Sequence, residues 1–178
     1  MSPGNSKRLV IDPSIARAAG GTDHPVSKAC RVCLESILNI CHQAVLTRAI
    51  TEEWKRHRSN FTFLWLSSMY ARKKVARPEV APNVVLRTGI ENSGLTEKER
   101  AAALKDAHLI EAALESDLRV VSLDETVRAI FRKAAPRVAP LRPVHWANPT
   151  KDDEHTIEWL EGGAKDEEVR QLGFEEAV

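Results

Sequence analysis

KDAHLIEAAL at positions 105–114, followed at 120–124 by VVSLD, is the stretch of sequence that decides the fold. In the first segment, apolar residues recur at three- and four-residue steps, which indicates one face of a helix. The second segment is a short apolar run, which is typical of a strand buried on both faces. A helix followed at once by a buried strand predicts an α/β fold with a mainly parallel sheet.

Acids stand at the end of an apolar run, or beside one, at four places in the chain: Asp12, Glu53, Asp106 and Asp124. Asp12 closes the run Leu9-Val10-Ile11, and Asp124 closes the run at 120–123. The carboxyl ends of parallel strands share one edge of a sheet, where sites are commonly built. Carboxylate oxygens that converge there suit hard divalent cations such as Mg²⁺ or Mn²⁺. Taken singly, Asp12 and Asp124 are also suited to cap the helices that follow them.

In these segments the chain resembles the PIN-domain nucleases. The matching segments are Val10–Ser14, Thr47–Trp54, 105–114 and 120–124, and the resemblance covers roughly residues 8–146. It implies a three-layer α/β/α fold around a mainly parallel sheet of four or five strands. It also implies a metal-dependent ribonuclease, which in many members is the toxin of a toxin–antitoxin pair. RNA is then the expected substrate, and a cognate antitoxin and a second copy of the chain are expected partners.

The resemblance also assigns roles to residues. Asp12, Glu53, Asp106 and Asp124 are expected to hold Mg²⁺ or Mn²⁺, directly or through water, and Ser14 takes the family's hydroxyl position. The metal would polarise the scissile phosphate of RNA and activate a water for in-line attack.

Two positions depart from the family pattern, and two neighbouring glutamates could each be the second metal ligand. Pro13 stands where Thr is common, which suits the first turn of a helix. Thr126 stands where a further acid is common, and an acid comes one residue early at Glu125. Glu53 is preferred to Glu52 because it matches the family's spacing from the strand end and precedes an aromatic residue.

The net charge of +1 hides a strong asymmetry. Between residues 54 and 78 there is no acid, and we call the cations of this region the basic block: Lys55, Arg56, Arg58, Arg72, Lys73, Lys74 and Arg77. Phe61, Phe63, Trp65 and Tyr70 lie among them. Cations and rings together are typical of a nucleic-acid surface. Alternatively, the buried stripe of an amphipathic helix is formed by Phe61, Leu64, Trp65, Ser68 and Met69.

The elements follow from the apolar patterns and their boundaries. Strands are expected at 8–12, 43–47, 119–123 and 141–146, and helices at 13–19, 26–41, 48–58, 61–76, 97–116 and 125–135, with 78–96 irregular. The expected nuclease domain is 1–150. Residues 151–178, with ten acids against three bases, are expected to form an acidic tail of one or two short helices, which competes with RNA for the basic block.

Other classes of protein are less well supported. No apolar stretch approaches the length of a membrane span, so we expect a cytoplasmic protein without a membrane partner. Cys30, Cys33 and Cys41 recur at helical steps and are expected in the core rather than on zinc. The alternatives are an inactive PIN-like module that binds RNA or a protein, and a phosphatase-like enzyme with Asp12 as nucleophile. The latter usually has a second acid where Ser14 stands.

Overall fold

Five short strands form one all-parallel sheet in the computed structural model, which describes residues 6–175. They are β1 (Arg8–Ile11), β2 (Gln43–Val45), β3 (Val75–Ala76), β4 (Arg119–Val121) and β5 (His145–Ala147), in the spatial order β3-β2-β1-β4-β5. The chain therefore starts at the centre of the sheet, builds outward on one side, and then builds outward on the other. The predicted α/β fold with a parallel sheet is confirmed.

Eight α-helices connect and follow the strands within the described residues. They are α1 (Pro13–Ala18), α2 (Pro25–Asn39), α3 (Arg48–His57), α4 (Asn60–Ala71), α5 (Val84–Glu91), α6 (Glu97–Leu114), α7 (Glu125–Ala134) and α8 (Thr156–Glu161). Short 3₁₀ turns lie at Ala139–Leu141, Asp152–Glu154 and Glu168–Arg170. Thr96 and Glu99 begin α6 with a reciprocal capping box. The arrangement is consistent with three layers, α/β/α.

Two elements lie in regions that were predicted differently. Residues 78–96 were expected to be irregular, but α5 forms there because the Asn83 side chain caps it and Leu86 and Ile90 are buried. The helix expected at 61–76 ends at Ala71, and the chain turns through Lys73, whose φ is 57°, into the two-residue strand β3. A strand that short has no periodicity to detect.

The last strand also begins later than predicted. Residues 139–141 form a 3₁₀ turn, and β5 starts only at His145, beyond Pro143. Proline has no N–H for the ladder and is poorly suited to a strand interior. All three residues of β5 are buried.

The segment from residue 151 onward packs into the same core as the rest of the chain. It contains the short helix α8, as expected, and the chain leaves that helix at Gly162. Trp159, Leu160 and Leu172 are buried within the main apolar cluster, and α8 packs against α2. Gln171 forms an antiparallel bridge with His145 of β5. The edge of the sheet is thereby covered, which protects it from pairing with other chains.

The acids of this segment pair with arginines of the core. Glu154 binds Arg128, and Asp166 binds Arg119 at 2.8 Å. Within residues 6–175, no ion pair joins the segment to the basic block, so the structure gives no support to the expected competition. No helix in this part of the chain is long and apolar enough to cross a membrane.

Candidate active site

The candidate site lies where the order of the strands reverses, between β1 and β4. These strands are neighbours, yet the chain builds the sheet in opposite directions from them. Helices that leave in opposite directions open a crevice at the carboxyl ends of the strands, and ligands bind there in parallel α/β sheets. Asp12 follows β1, and residues 122–124 follow β4. The Asp12 N–H donates to the Val121 carbonyl at 2.9 Å, which brings the two loops together.

Asp12 is anchored by three donors. Its Oδ1 accepts the Ser14 N–H at 3.2 Å, which caps α1. Its Oδ2 accepts the Ser14 hydroxyl at 2.8 Å and the Ser122 hydroxyl. Hydrogen bonds to both oxygens fix the plane of the carboxylate, as a site held by preorganised ligands requires.

Asp124 is joined to Asp12 through Ser122. The Asp124 N–H donates to the Ser122 hydroxyl oxygen at 3.0 Å, and that hydroxyl donates to Asp12. Asp124 also caps α7, because its Oδ1 accepts the Val127 N–H at 2.8 Å. Both acids therefore cap helices, which is the alternative that the sequence left open, and they stand at neighbouring strand ends linked through Ser122.

The hydroxyls of Ser14 and Ser122 both donate to Asp12. The Ser14 hydroxyl donates to Asp12 and accepts the Leu123 N–H at 3.2 Å, which links the two loops a second time. Ser122 was not among the predicted site residues. The sequence did contain a sign of its role, because Ser122 interrupts an apolar run. A fully buried hydroxyl needs a hydrogen-bond partner.

Asp106 lies on α6, which packs against both β1 and β4. Burial raises the pKa of its carboxyl group, Lys105 lowers it, and the negative charges of Asp12 and Asp124 raise it further. The three aspartates therefore share one electrostatic environment. Like charges held together favour a bound cation.

Glu53 lies on α3, which packs against α6. The Trp54 indole N–H donates to the Ile11 carbonyl at 3.1 Å, which fastens α3 to the end of β1. Glu53 Oε1 lies 3.8 Å from His108 Nε2. Glu52 is exposed and pairs with Lys55 at 3.4 Å, so its carboxylate is directed to solvent.

His108 was left out of the predicted site, but it faces that site. Its Nδ1 contacts the Lys105 carbonyl at 3.1 Å, so Nδ1 carries the proton and donates. Its Nε2 is buried without a hydrogen-bond partner and is directed to Glu53. Glu111 has a structural role, since it binds Arg87 at 2.7 Å and accepts the Asn83 N–H.

Within the described residues, no three His, Cys, Asp or Glu side chains are placed to hold one metal ion directly. The aspartates nevertheless supply only oxygen, which Mg²⁺ and Mn²⁺ prefer. Mg²⁺ usually keeps several waters and binds through one or two carboxylates, so three direct ligands are not required. The donor set therefore fits a hydrated hard cation. Cys30 and Cys33 lie in the core as predicted, and burial raises the pKa of Cys30 to about 11. Cys41 is only half-buried against that core.

Glu125, the acid that comes one residue early, binds neighbouring side chains of the protein. Its Oε1 accepts the Asn148 amide N–H at 2.9 Å and lies 3.3 Å from Arg128. Arg128 also binds Glu154, so Glu125 belongs to a network that fastens α7 to the C-terminal segment. Thr126 is exposed.

The structure divides the basic block into separate groups. Lys74 donates to the Ile37 and Leu38 carbonyls at 2.7 and 2.8 Å, so its ammonium caps the end of α2, and burial lowers its pKa. Arg72 and Lys73 lie beside it at the amino edge of the sheet, opposite the aspartates. Lys55 and Arg56 end α3, and Arg58 follows. Arg77 follows β3 at the carboxyl edge. That all seven contact nucleic acid stays a prediction.

Two clefts adjoin the site without containing its aspartates. One, of about 790 Å³, is lined by Arg48, Glu52, Arg77 and His108. The other, of about 770 Å³, lies between α7 and the C-terminal segment and includes Glu125. Asp12 and Asp124 stand instead at the crevice between β1 and β4. The first cleft reaches His108 and presents two arginines.

No protein-family model and no curated protein matches this sequence. The functional interpretation therefore depends on the chain's own residues and on their positions in the fold.

Proposed function

We propose that the protein is a divalent-metal-dependent nuclease of the PIN type that hydrolyses phosphodiester bonds of RNA. The observation that carries this proposal is the placement of Asp12 and Asp124 at the switch point of a parallel sheet, with Asp106 on the helix that packs against both strands. Burial raises the Asp106 pKa, Lys105 lowers it, and the charges of Asp12 and Asp124 raise it. Structural acids are normally paired with cations. A group of acids that repel one another supports a cation-binding role.

The residues divide the work as follows. Bound Mg²⁺ or Mn²⁺ would polarise the phosphate and lower the pKa of the attacking water. Asp12, Asp106 and Asp124 would hold the ion directly or through water, while Ser14 and Ser122 fix the Asp12 carboxylate. Glu53, which lies 3.8 Å from His108, would hold the ion through water.

The nature of the substrate follows from the surroundings and from the resemblance. Arg48 and Arg77 line the adjoining cleft and suit phosphate groups. RNA rather than DNA is proposed from the PIN-like motifs. On the same basis, a cognate antitoxin and a second copy of the chain are the proposed protein partners, and the cytoplasm is the proposed location.

One observation favours a second candidate, an inactive PIN-like module that binds RNA or a protein. Within residues 6–175 no three donors are placed to hold a metal directly, and Glu125 is bound to Asn148 and Arg128. Such a module would keep the fold and the basic surface but lack hydrolysis.

Cleavage of RNA and DNA of the same sequence, with Mn²⁺, Mg²⁺ or EDTA, tests the proposal. We expect RNA to be cut with either metal and to remain intact in EDTA. Asp124→Asn should abolish the cleavage. Glu97→Gln, at an exposed acid on the first turn of α6, is the matched control and should cleave as the wild type does. Metal-independent cleavage, or none by the wild-type protein, would reject the proposal.

A further inference from the structure

The helix α4 divides its aromatic residues between two faces. Thr62, Trp65, Leu66 and Met69 are buried, and the Trp65 indole N–H donates to the Leu34 carbonyl at 2.5 Å. On the other face, Phe63 is 47% exposed, Leu64 65% and Tyr70 43%. Core packing therefore explains Trp65 but leaves the exposed rings without a role.

These exposed residues form one stripe. Phe63, Leu64, Ser67 and Tyr70 follow one another at steps of one, three and three residues, which places them along one side of a helix. We call this surface the α4 stripe. Single exposed apolar residues are ordinary, but several on one helix face mark an interaction site.

The charges around the α4 stripe are positive. The Arg58 guanidinium lies 4.7 Å from the centre of the Phe63 ring, and Arg72 and Lys73 are exposed at the other end of the helix. No acid occurs between residues 54 and 78. The adjacent helix α2 contributes exposed Lys28 and one exposed acid, Glu35.

Two hydrogen bonds fix the start of α4. The Thr62 hydroxyl donates to the Ala16 carbonyl at 2.8 Å, and the Ser59 hydroxyl donates to the Ala19 carbonyl. Both contacts seat the start of α4 on α1, the helix that Asp12 caps. From there, α4 runs to the amino edge of the sheet, where Lys74 binds the end of α2. The stripe therefore extends from α1 toward the amino edge of the sheet.

We propose that the α4 stripe binds single-stranded RNA, with Phe63 and Tyr70 stacked on bases and Arg58, Arg72 and Lys73 at phosphates. The inference rests on the proposed function, since it gives the RNA a course beyond the site of cleavage. Aromatic rings stack on any base, and neighbouring cations follow the backbone. An apolar protein partner would need no such cations, so the positive charge favours nucleic acid.

The test replaces the rings but keeps the apolar surface. A Phe63→Leu, Tyr70→Leu double variant is compared with wild type for binding of a single-stranded oligoadenylate RNA in EDTA. Because each base–ring stack contributes on the order of 1–3 kcal/mol, affinity should fall at least about fivefold per ring. The salt dependence should be unchanged, since no phosphate contact is removed.

Two control variants sharpen the result. Val84→Ala with Val85→Ala removes exposed apolar residues from α5 and should leave binding unchanged. Arg72→Ala with Lys73→Ala should lower the log–log salt slope by about 0.7 for each lost phosphate contact. Circular dichroism should show that every variant is folded.

Three outcomes would overturn the inference. One is wild-type protein that does not bind the RNA, and another is a leucine variant that binds as tightly as wild type. The third is self-association that Phe63→Asp abolishes while RNA binding persists, which would assign the stripe to a second copy. Because binding is measured in EDTA, it is independent of hydrolysis. Ring-dependent binding without cleavage would reject the proposed function alone, and metal-dependent cleavage with ring-independent binding would reject the stripe alone.

Discussion

Charged side chains are arranged in opposite ways in two regions of the molecule. Under the C-terminal segment they are paired, as Arg119 is with Asp166 and Arg128 with Glu154. At the carboxyl edge, the charges of Asp12 and Asp124 act on Asp106, and among the described residues none of the three forms an ion pair. Paired charges stabilise a fold, whereas unpaired like charges destabilise it unless a ligand supplies the opposite charge. The difference separates a region of paired charges from the candidate site.

Replacing one member of the acidic group should have the largest effect. Asp106→Asn keeps the shape of the side chain but removes a charge, so cleavage should fall by about 100-fold or more. Because burial and like charges raise the Asp106 pKa, its ionised form destabilises the folded protein at neutral pH. The variant should therefore melt at an equal or higher temperature in EDTA, and its stabilisation by Mn²⁺ should shrink. Lower stability in EDTA with an undiminished Mn²⁺ response would assign Asp106 to the structure.

Breaking the Arg128–Glu154 ion pair should lower stability and leave the response to Mn²⁺ unchanged. Glu154→Ala leaves Arg128 buried with only the partly exposed Glu125 opposite, and should lower the free energy of unfolding by about 3 kcal/mol. Urea denaturation measures this loss. Glu161→Ala, at an exposed acid that ends α8, is the control and should change stability little. A shift in the Mn²⁺ response of Glu154→Ala would contradict the separation of the two regions.

Ser122→Ala tests the link between the aspartates. The substitution removes the hydroxyl that donates to Asp12 and accepts the Asp124 N–H. Residues that orient metal ligands typically contribute about 10- to 100-fold in metal affinity, so cleavage should require that much more Mn²⁺. Titration of activity with Mn²⁺ measures the shift. Ser116→Ala, which removes a hydroxyl bonded to the end of α6, should leave the requirement unchanged.

The smallest expected effect is the response to mild acid. Burial lowers the pKa of both His42 and His145, which contact the C-terminal segment through Leu160 and Glu167. A lowered pKa means that the unfolded chain takes up protons first, so stability should fall as pH drops below about 6.5. Melting temperatures between neutral pH and pH ~5 measure this loss. A flat profile would show that neither histidine is held neutral by the fold.

Local patterns identified much of the fold and part of the site. Apolar runs located β1, β2 and β4, because strands buried on both faces must be apolar along their whole length. The acids that close these runs were found for the same reason, since polarity begins where the sheet ends. β3 and α5 were not found. One is two residues long, and the other buries only Leu86 and Ile90.

Contacts between segments that are distant in the chain could not be predicted from the sequence. The Ser122–Asp12 bond and the His108–Glu53 approach join residues far apart in the chain, and nothing local specifies them. The aromatic residues of α4 were similarly ambiguous, because which face is buried depends on how the helix is seated on α1 and α2.

The sequence by itself determined the α/β class and the positions of the strand-ending acids, because burial and chain polarity act residue by residue. Only the tertiary structure decided which acids meet, that Lys74 caps a helix, and that the C-terminal segment is bound into the core. Those outcomes depend on strand order and helix seating, which arise when apolar surfaces distant in sequence are buried together. The sequence supplied the acids, and the reversal of strand order between β1 and β4 brought them to one crevice.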